Sequence, residues 1–424
     1  MSAEVTQTPD AQTPDAQTPD AQTLHVQRRT VRVLAASQVL GGVGVATGVA
    51  VSSLVAARLS GSDTIAGLAQ TSAVVGAALV ALPLARIAAR SGRRPSLATG
   101  YVLAGAGALV CVVATATRLW PLLLLGLVFF GGGSAAGLAS RYAATDLAEP
   151  TRRGRDLSTV VWATTVGSVL GPNLAGPSAR LGLGQDAGPY VISTVAFGLA
   201  ALLVLLALRP DPLSLVEQAP TVAARSLRRG WSVLAAAPTA RLALAAIVVS
   251  HVVMVGLMSM TPVHMGHGGA TLKVIGLVIS AHIAGMYALS PVVGWLADRL
   301  GRIPVLVLGA GLLGASAVVL AGTGAGNAEQ LTVGLVLLGL GWSCGLVAGS
   351  ALLIDSVPAA DRTAVQGLSD LAMNVGGAAG GVAAGAVVAS ESYAVLATGA
   401  AVLVGAYLMV VLFGGWRNQR LRFV

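Results

Sequence analysis

The chain has 424 residues, 55% of them hydrophobic and only 10% charged. A soluble domain carries about 25% charge, so a water-soluble globular enzyme is excluded. The formal net charge of +9 therefore describes how the chain sits in a bilayer, not a nucleic-acid surface.

Residues 1–24 repeat Gln-Thr-Pro-Asp-Ala in steps of five. Such a stretch cannot support a core, and it lacks the apolar h-region of a signal peptide. We expect a disordered cytoplasmic tail over 1–30, with Arg28 and Arg29 near its end and Arg32 just beyond. Apolar runs of roughly twenty residues, long enough to cross a bilayer, follow at 33–57, 65–88, 96–117, 119–142, 157–178 and 189–208. A segment at 209–240 with Pro210, Pro212, Pro220, Arg225, Arg228 and Arg229 reads as a cytoplasmic connector. Six more runs come at 242–263, 273–296, 305–322, 330–354, 364–389 and 392–414. The fold class is thus an all-α membrane protein of twelve transmembrane helices. It has an N-terminal six-helix bundle over 31–208, a C-terminal one over 241–415 and a tail at 416–424. Abundant Gly and scarce aromatic residues suit close helix packing in lipid.

Arginine sets the orientation. With both termini inside, every Arg and Lys except Arg58, Arg118, Arg180 and Lys273 falls on the cytoplasmic side. A bacterial-type plasma membrane is the expected location. Cys111 and Cys344 stand in separate apolar runs and form no CxxC, so they read as small buried residues.

The two halves repeat. Shifting by 209 residues places Arg90, Gly92, Arg93 and Pro95 on Arg299, Gly301, Arg302 and Pro304. Asp146 falls on Asp355, Arg153 on Arg362, and Gly167 and Gly171 on Gly376 and Gly380. Two parallel six-helix halves imply a central cavity and alternating access by rocking.

The segment Gly294-Trp-Leu-Ala-Asp298-Arg299-Leu-Gly301-Arg302-Ile-Pro304 resembles the loop signature G-x-x-x-D-R-x-G-R of the major facilitator superfamily. Gly301 permits a tight turn. Asp298 is placed to bond Arg302 or to meet the N-terminus of a facing helix, with Asp355 beside them. The first-half copy has Ala85 and Ala89 in place of Gly and Asp. We expect an asymmetric gate, dominated by Asp298, with Arg90 and Arg93 held by Asp146 on the weaker side. Gly167-x3-Gly171-Pro172-x3-Gly176-Pro177 resembles the span-5 motif of drug-exporting facilitators, one residue longer in spacing. Close helix packing explains the same glycines equally well.

Between His251 and Met286 stand Met254, Met258, Met260, His264, Met265, His267 and His282. Met254/Met258 and His282/Met286 are each four apart, hence on one helix face. Thioether and imidazole suit a soft ion such as Cu(I); filling gaps in a core would use the same residues. The 209 shift places Val45, Val49, Ala73 and Ala77 opposite them, so the scaffold repeats and these side chains do not. The two motifs resemble those of copper-importing facilitators of the CcoA type, linked to cytochrome oxidase assembly. That resemblance implies a path for copper through Met254, Met258, His282 and Met286, with His251 on the same stripe. Met260, His264, Met265 and His267 would capture the ion at the outer mouth.

No acidic residue falls at mid-membrane depth in any run; Asp370 lies about two turns inside its own. Proton coupling would fall to His251, His282 or Asp370. The expectation is a monomeric secondary transporter without cofactor or enzymatic activity, partnered by lipid and a small cargo, with copper import foremost. The alternative is proton-coupled export of small hydrophobic compounds.

Overall fold

The computed structural model describes residues 21–178, 186–216, 227–270 and 272–420. Within them there are fourteen α-helices and no strand. The N-terminal bundle comprises α1 (Ala21–Ser60), α2 (Asp63–Ser91), α3 (Arg93–Thr117), α4 (Trp120–Ala143), α5 (Arg153–Ser178) and α6 (Gly188–Ala207). A short connector helix, α7 (Leu227–Ala236), leads to the C-terminal bundle. That bundle contains α8 (Pro238–His267), α9 (Leu272–Tyr287), α10 (Ser290–Leu300), α11 (Arg302–Ala321), α12 (Ala328–Asp355), α13 (Arg362–Ser390) and α14 (Tyr393–Arg420). Helices α9 and α10 are one span broken in two. Pro291 lacks the N–H for the helical bond to Tyr287, whose carbonyl accepts from the Ser290 hydroxyl instead.

Among the described residues, eleven segments are long and apolar enough to cross a membrane. Helix α5 is the twelfth span by position. It falls short on hydropathy because Arg153, Arg155, Asp156, Thr159, Thr164 and Thr165 crowd its sequence.

Three expectations change. The first helix starts at Ala21, not after residue 30. It is tied down by Gln27, whose amide donates to the Ala144 carbonyl and to Asp156. Residues 1–20, Arg180, Pro220, Arg225 and the tail at 421–424 lie outside the described residues. The connector is not a plain link. Asp211 accepts from the backbone N–H groups of Arg93 and Arg94 at the start of α3, where partial positive charge favours a carboxylate. Helix α7 is fastened by Arg229, which donates two bonds to the buried carboxylate of Asp361. Finally, the run expected to end at 263 continues as α8 to His267.

Glycine carries the repeat into three dimensions. Gly92 and Gly301, equivalent under the 209 shift, turn the chain at φ 100° and φ 95°, a region open to glycine. A Cβ on Gly132 would meet the Gly100 carbonyl oxygen at 2.7 Å, and one on Gly341 the Gly309 oxygen at 2.9 Å. The α3–α4 and α11–α12 contacts are therefore copies of one another. The tightest approach is α2 to α4, where a Cβ on Gly76 would sit 1.8 Å from the Val128 oxygen. Two main hydrophobic cores result, and the C-terminal one also takes in Tyr142, Leu157 and Val161 of the N-terminal bundle.

Gly76→Val forces α2 off α4 and should destabilise the protein by about 1–3 kcal/mol or more. Gly198→Ala meets nothing within 4 Å and should be neutral, or stabilising by up to about 1 kcal/mol through helix propensity. Thermal unfolding of the two variants in detergent checks the contrast.

Candidate functional site

The bundles meet where α2 faces α13 and where α10 faces α5. Among the described residues, each polar contact between bundles lies toward the arginine-rich end, and that end is sealed.

At the α5–α10 crossing, Asp298 accepts from the backbone N–H groups of Gly154 (2.9 Å) and Arg155 (2.8 Å). It thereby satisfies orphan donors at the N-terminus of α5 across the bundle boundary. Arg302 bonds Asp298 and also reaches the Pro150 carbonyl at 2.7 Å. Asp355 joins Arg302 to Arg153. Gly294 makes the approach possible, since a Cβ there would sit 2.1 Å from the Ser158 hydroxyl.

The α2–α13 crossing obeys the same geometry with the sizes exchanged. Ala85 replaces Gly294 and Gly367 replaces Ser158, each 209 residues from its equivalent. A Cβ on Gly367 would meet the Ala85 Cβ at 2.4 Å. At this pair of positions each crossing carries one glycine, and either helix can supply it; the α5–α10 crossing adds Gly154, where a Cβ would sit 2.7 Å from the Gly294 oxygen. Ala89 stands where Asp298 stands in the other half, so this crossing has no carboxylate cap. Arg93 instead makes a two-armed pair with Asp146 (2.7 and 2.9 Å) and reaches across to Gln366 at 2.7 Å. Burial pushes the Asp146 carboxyl up, and Arg93 pulls it back down. Arg90 is exposed. Arg299 is exposed as well, stacked on Trp295 at 5.1 Å. Neither belongs to the latch. Arg362 is half-buried, with Nε buried and unpartnered among the described residues.

Deeper between the bundles lies a charged centre. Arg141, 1% exposed, ends α4. Its Nη2 donates to Asp370 Oδ1 at 2.7 Å, and its Nε donates to the Ser350 hydroxyl at 3.1 Å. Tyr142 donates to Ser369 at 3.1 Å. Arg141 and Ser350 are 209 residues apart, so equivalent positions touch and mark the pseudo-two-fold axis. Beside them, Trp342 Nε1 donates to His251 Nδ1 at 3.0 Å, and Tyr287 stands edge-on to Trp342 at 5.5 Å. Sequence reasoning missed Arg141. An arginine at a span end passes as a topology signal, and only tertiary packing turns it inward.

The Met/His window is not gathered into one site. Helix α12 packs against both α8 and α9, which barely touch each other. His282 is fully buried; its Nδ1 lies 2.7 Å from the Leu335 carbonyl of α12, and Nε2 is buried without a partner among the described residues. Met254 and Met286 are buried in the C-terminal core, with Met258 and Met260 half-buried against it. His264 stacks on Tyr393 at 4.4 Å and reaches the Thr323 carbonyl, within its own bundle. Met265 is fully buried and His267 is exposed. His264 and Met265 thus face the bundle interior, not an outer mouth. Among the described residues, no group of three His, Cys, Asp or Glu is placed to hold a metal ion. Both cysteines are buried and free.

Gly167 and Gly171 of the span-5 motif pack α5 on α1. A Cβ on Gly167 would meet Gly42 Cα at 2.7 Å, and one on Gly171 the Ala46 Cβ at 2.5 Å. Pro172 and Gly176 continue α5, with side-chain surroundings outside the described residues.

The family model of the Major Facilitator Superfamily matches residues 33–273 and 265–422. The chain is 36% identical over 404 residues to the MFS-type transporter YddS of Bacillus subtilis, covering 93% of this chain and 92% of that one. It is 27% identical over 347 residues to the riboflavin transporter RfnT of Brucella anthropi, covering 82% and 85%. Among solved structures it is similar to the facilitator FucP in the outward conformation, with a TM-score of 0.75 and 16% identity, covering 91% and 98%.

Gly367→Ala should wedge α13 off α2, and Ala85→Gly should restore the fit. The readout is maleimide labelling of a cysteine at Ala88, which lines the same cleft. Labelling should rise about tenfold in Gly367→Ala, a shift of about 1.4 kcal/mol, and return to the parental rate in the double variant.

Proposed function

The chain belongs to the Major Facilitator Superfamily, and we propose that it is a secondary transporter moving a small organic substrate by alternating access. The observation that carries this is the Arg141–Asp370–Ser350 centre, which joins the bundles on their pseudo-two-fold axis beneath Trp342, Tyr287 and His251. A buried ion pair at a moving interface must break and re-form as the bundles rock, and a half-broken buried pair costs about 3–5 kcal/mol. Substrate contacts are what offset that cost. With the arginine-rich end placed in the cytoplasm by the positive-inside rule, the state described faces outward. Asp298 capping α5 then serves as the inner latch. We place the protein in the plasma membrane as a monomer with cytoplasmic termini. As in its family generally, carriage rather than catalysis is the task.

A planar heteroaromatic body suits the Trp342–Tyr287 pair, where rings meet edge-on or stacked. The name of the relative RfnT makes riboflavin the first compound to try.

Copper is the second reading, and one observation favours it. The Nε2 of His282 is buried and unpartnered among the described residues, with Met286 one turn further on. Against it, Met254 and Met258 lie on α8, while α12 packs against both α8 and α9.

Uptake into proteoliposomes separates the two, with radiolabelled riboflavin or radiolabelled copper as cargo and with or without a pH gradient. We expect flux of the organic cargo, riboflavin or its anionic phosphate ester, that falls at least about tenfold in Arg141→Gln, where the centre loses its charge, and is unchanged in Met254→Ala or His282→Ala. Copper flux abolished by His282→Ala would overturn the organic reading.

A further inference from the structure

We propose that Arg141 is the substrate's anchoring cation and that Asp370 is its stand-in counter-ion, so that the organic substrate is an anion. This rests on the transporter reading above and names the chemical class its site takes.

Arginine offers five N–H donors in a planar fork suited to gripping a carboxylate with two parallel bonds. Arg93 does this with Asp146, through Nε and Nη2. Arg141 does not. It meets Asp370 through Nη2 alone, spends Nε on Ser350, and leaves Nη1 buried without a partner among the described residues. An orphan N–H on a buried cation carries a desolvation cost. The internal carboxylate is therefore a poorly matched counter-ion, replaceable by one that takes Nη1 and Nη2 together.

Position supports the same conclusion. The contact with Ser350 places Arg141 on the pseudo-two-fold axis, the location of facilitator cargo sites between repeats. His251 and Tyr287, which both meet Trp342, are half-buried rather than sealed. A substrate arriving from the open side meets the aromatic pair first and the guanidinium beyond it. Displaced Asp370 still lines one cleft with Arg93. The internal pair also explains how the empty centre tolerates a buried arginine: without Asp370 the bare cation would be costly, and the site would be charged for any passing anion.

The test uses the full chain in detergent with three probes of matched size: phenylacetate, phenylacetamide and phenethylamine. Thermal unfolding is followed against probe concentration. Phenylacetate alone should raise the midpoint. Asp370→Asn, which removes the competitor and keeps its shape, should respond at a concentration at least about tenfold lower. Arg141→Gln should lose the response, and Arg141→Lys should retain part of it through charge without the fork. Equal stabilisation by phenylacetamide or phenethylamine overturns the proposal, as does an undiminished response in Arg141→Gln. Absence of any phenylacetate response in Asp370→Asn overturns it too. Labelling of a cysteine at Ala88 is measured in the same proteins. A change in labelling on adding riboflavin, without a response to phenylacetate, would keep alternating access and reject only the anionic class.

Discussion

A charge inside a membrane protein cannot be left without a partner, and the arrangement around Arg141 follows from that constraint. Its guanidinium ends α4, in the N-terminal bundle, while its partners Asp370 and Ser350 come from the C-terminal bundle. Neither bundle can satisfy the group alone. The seal between them is therefore as much an electrostatic necessity as a packing result. Tyr142 with Ser369 and Arg93 with Gln366 extend the contact toward the arginine-rich end. The hydrophobic cores hold each bundle together, and the C-terminal one also reaches Tyr142, Leu157 and Val161 of its neighbour. The polar centre holds them to each other.

The repeat supplies a symmetric frame on which unequal devices are mounted. Both crossings bring helices close enough to need a glycine, but one places it at Gly294 and the other at Gly367. One crossing is capped by Asp298. The other, with Ala89 in that place, relies on Arg93, Gln366 and the deeper pair. Asp211, reaching in from the connector, caps α3 within the N-terminal half. Switching such a molecule would release a helix cap on one side and an ion pair on the other. The two steps answer to different physics. A cap senses the alignment of backbone dipoles, whereas a buried pair senses charge in a low-dielectric place.

The Met/His window shows what composition leaves open in an apolar protein. Spacing put Met254 with Met258 and His282 with Met286, each pair on its own helix face. It could not say what each face meets. Helix α12 packs against both α8 and α9, so His282 turns to the Leu335 carbonyl and Met254 and Met286 enter the core. Met fills irregular gaps because its chain is unbranched and polarizable, and it does so here.

The sequence by itself determined the twelve-span architecture, the two-bundle division, the turn glycines at Gly92 and Gly301, and the roles of Asp298, Arg302, Asp355, Arg93 and Asp146 as contact formers. These follow from apolar length, a signature motif and a 209-residue repeat, under which the pairs Arg93–Asp146 and Arg302–Asp355, each 53 residues apart, are copies of one another. Tertiary structure alone decided which faces are buried and which meet across the bundles. That brought Arg141 to Asp370, matched Gly367 with Ala85, and set His264 and Met265 inside their own bundle. In a chain more than half apolar, both faces of a helix look alike in sequence. The direction of a side chain then depends on its neighbours in space, which no periodicity records.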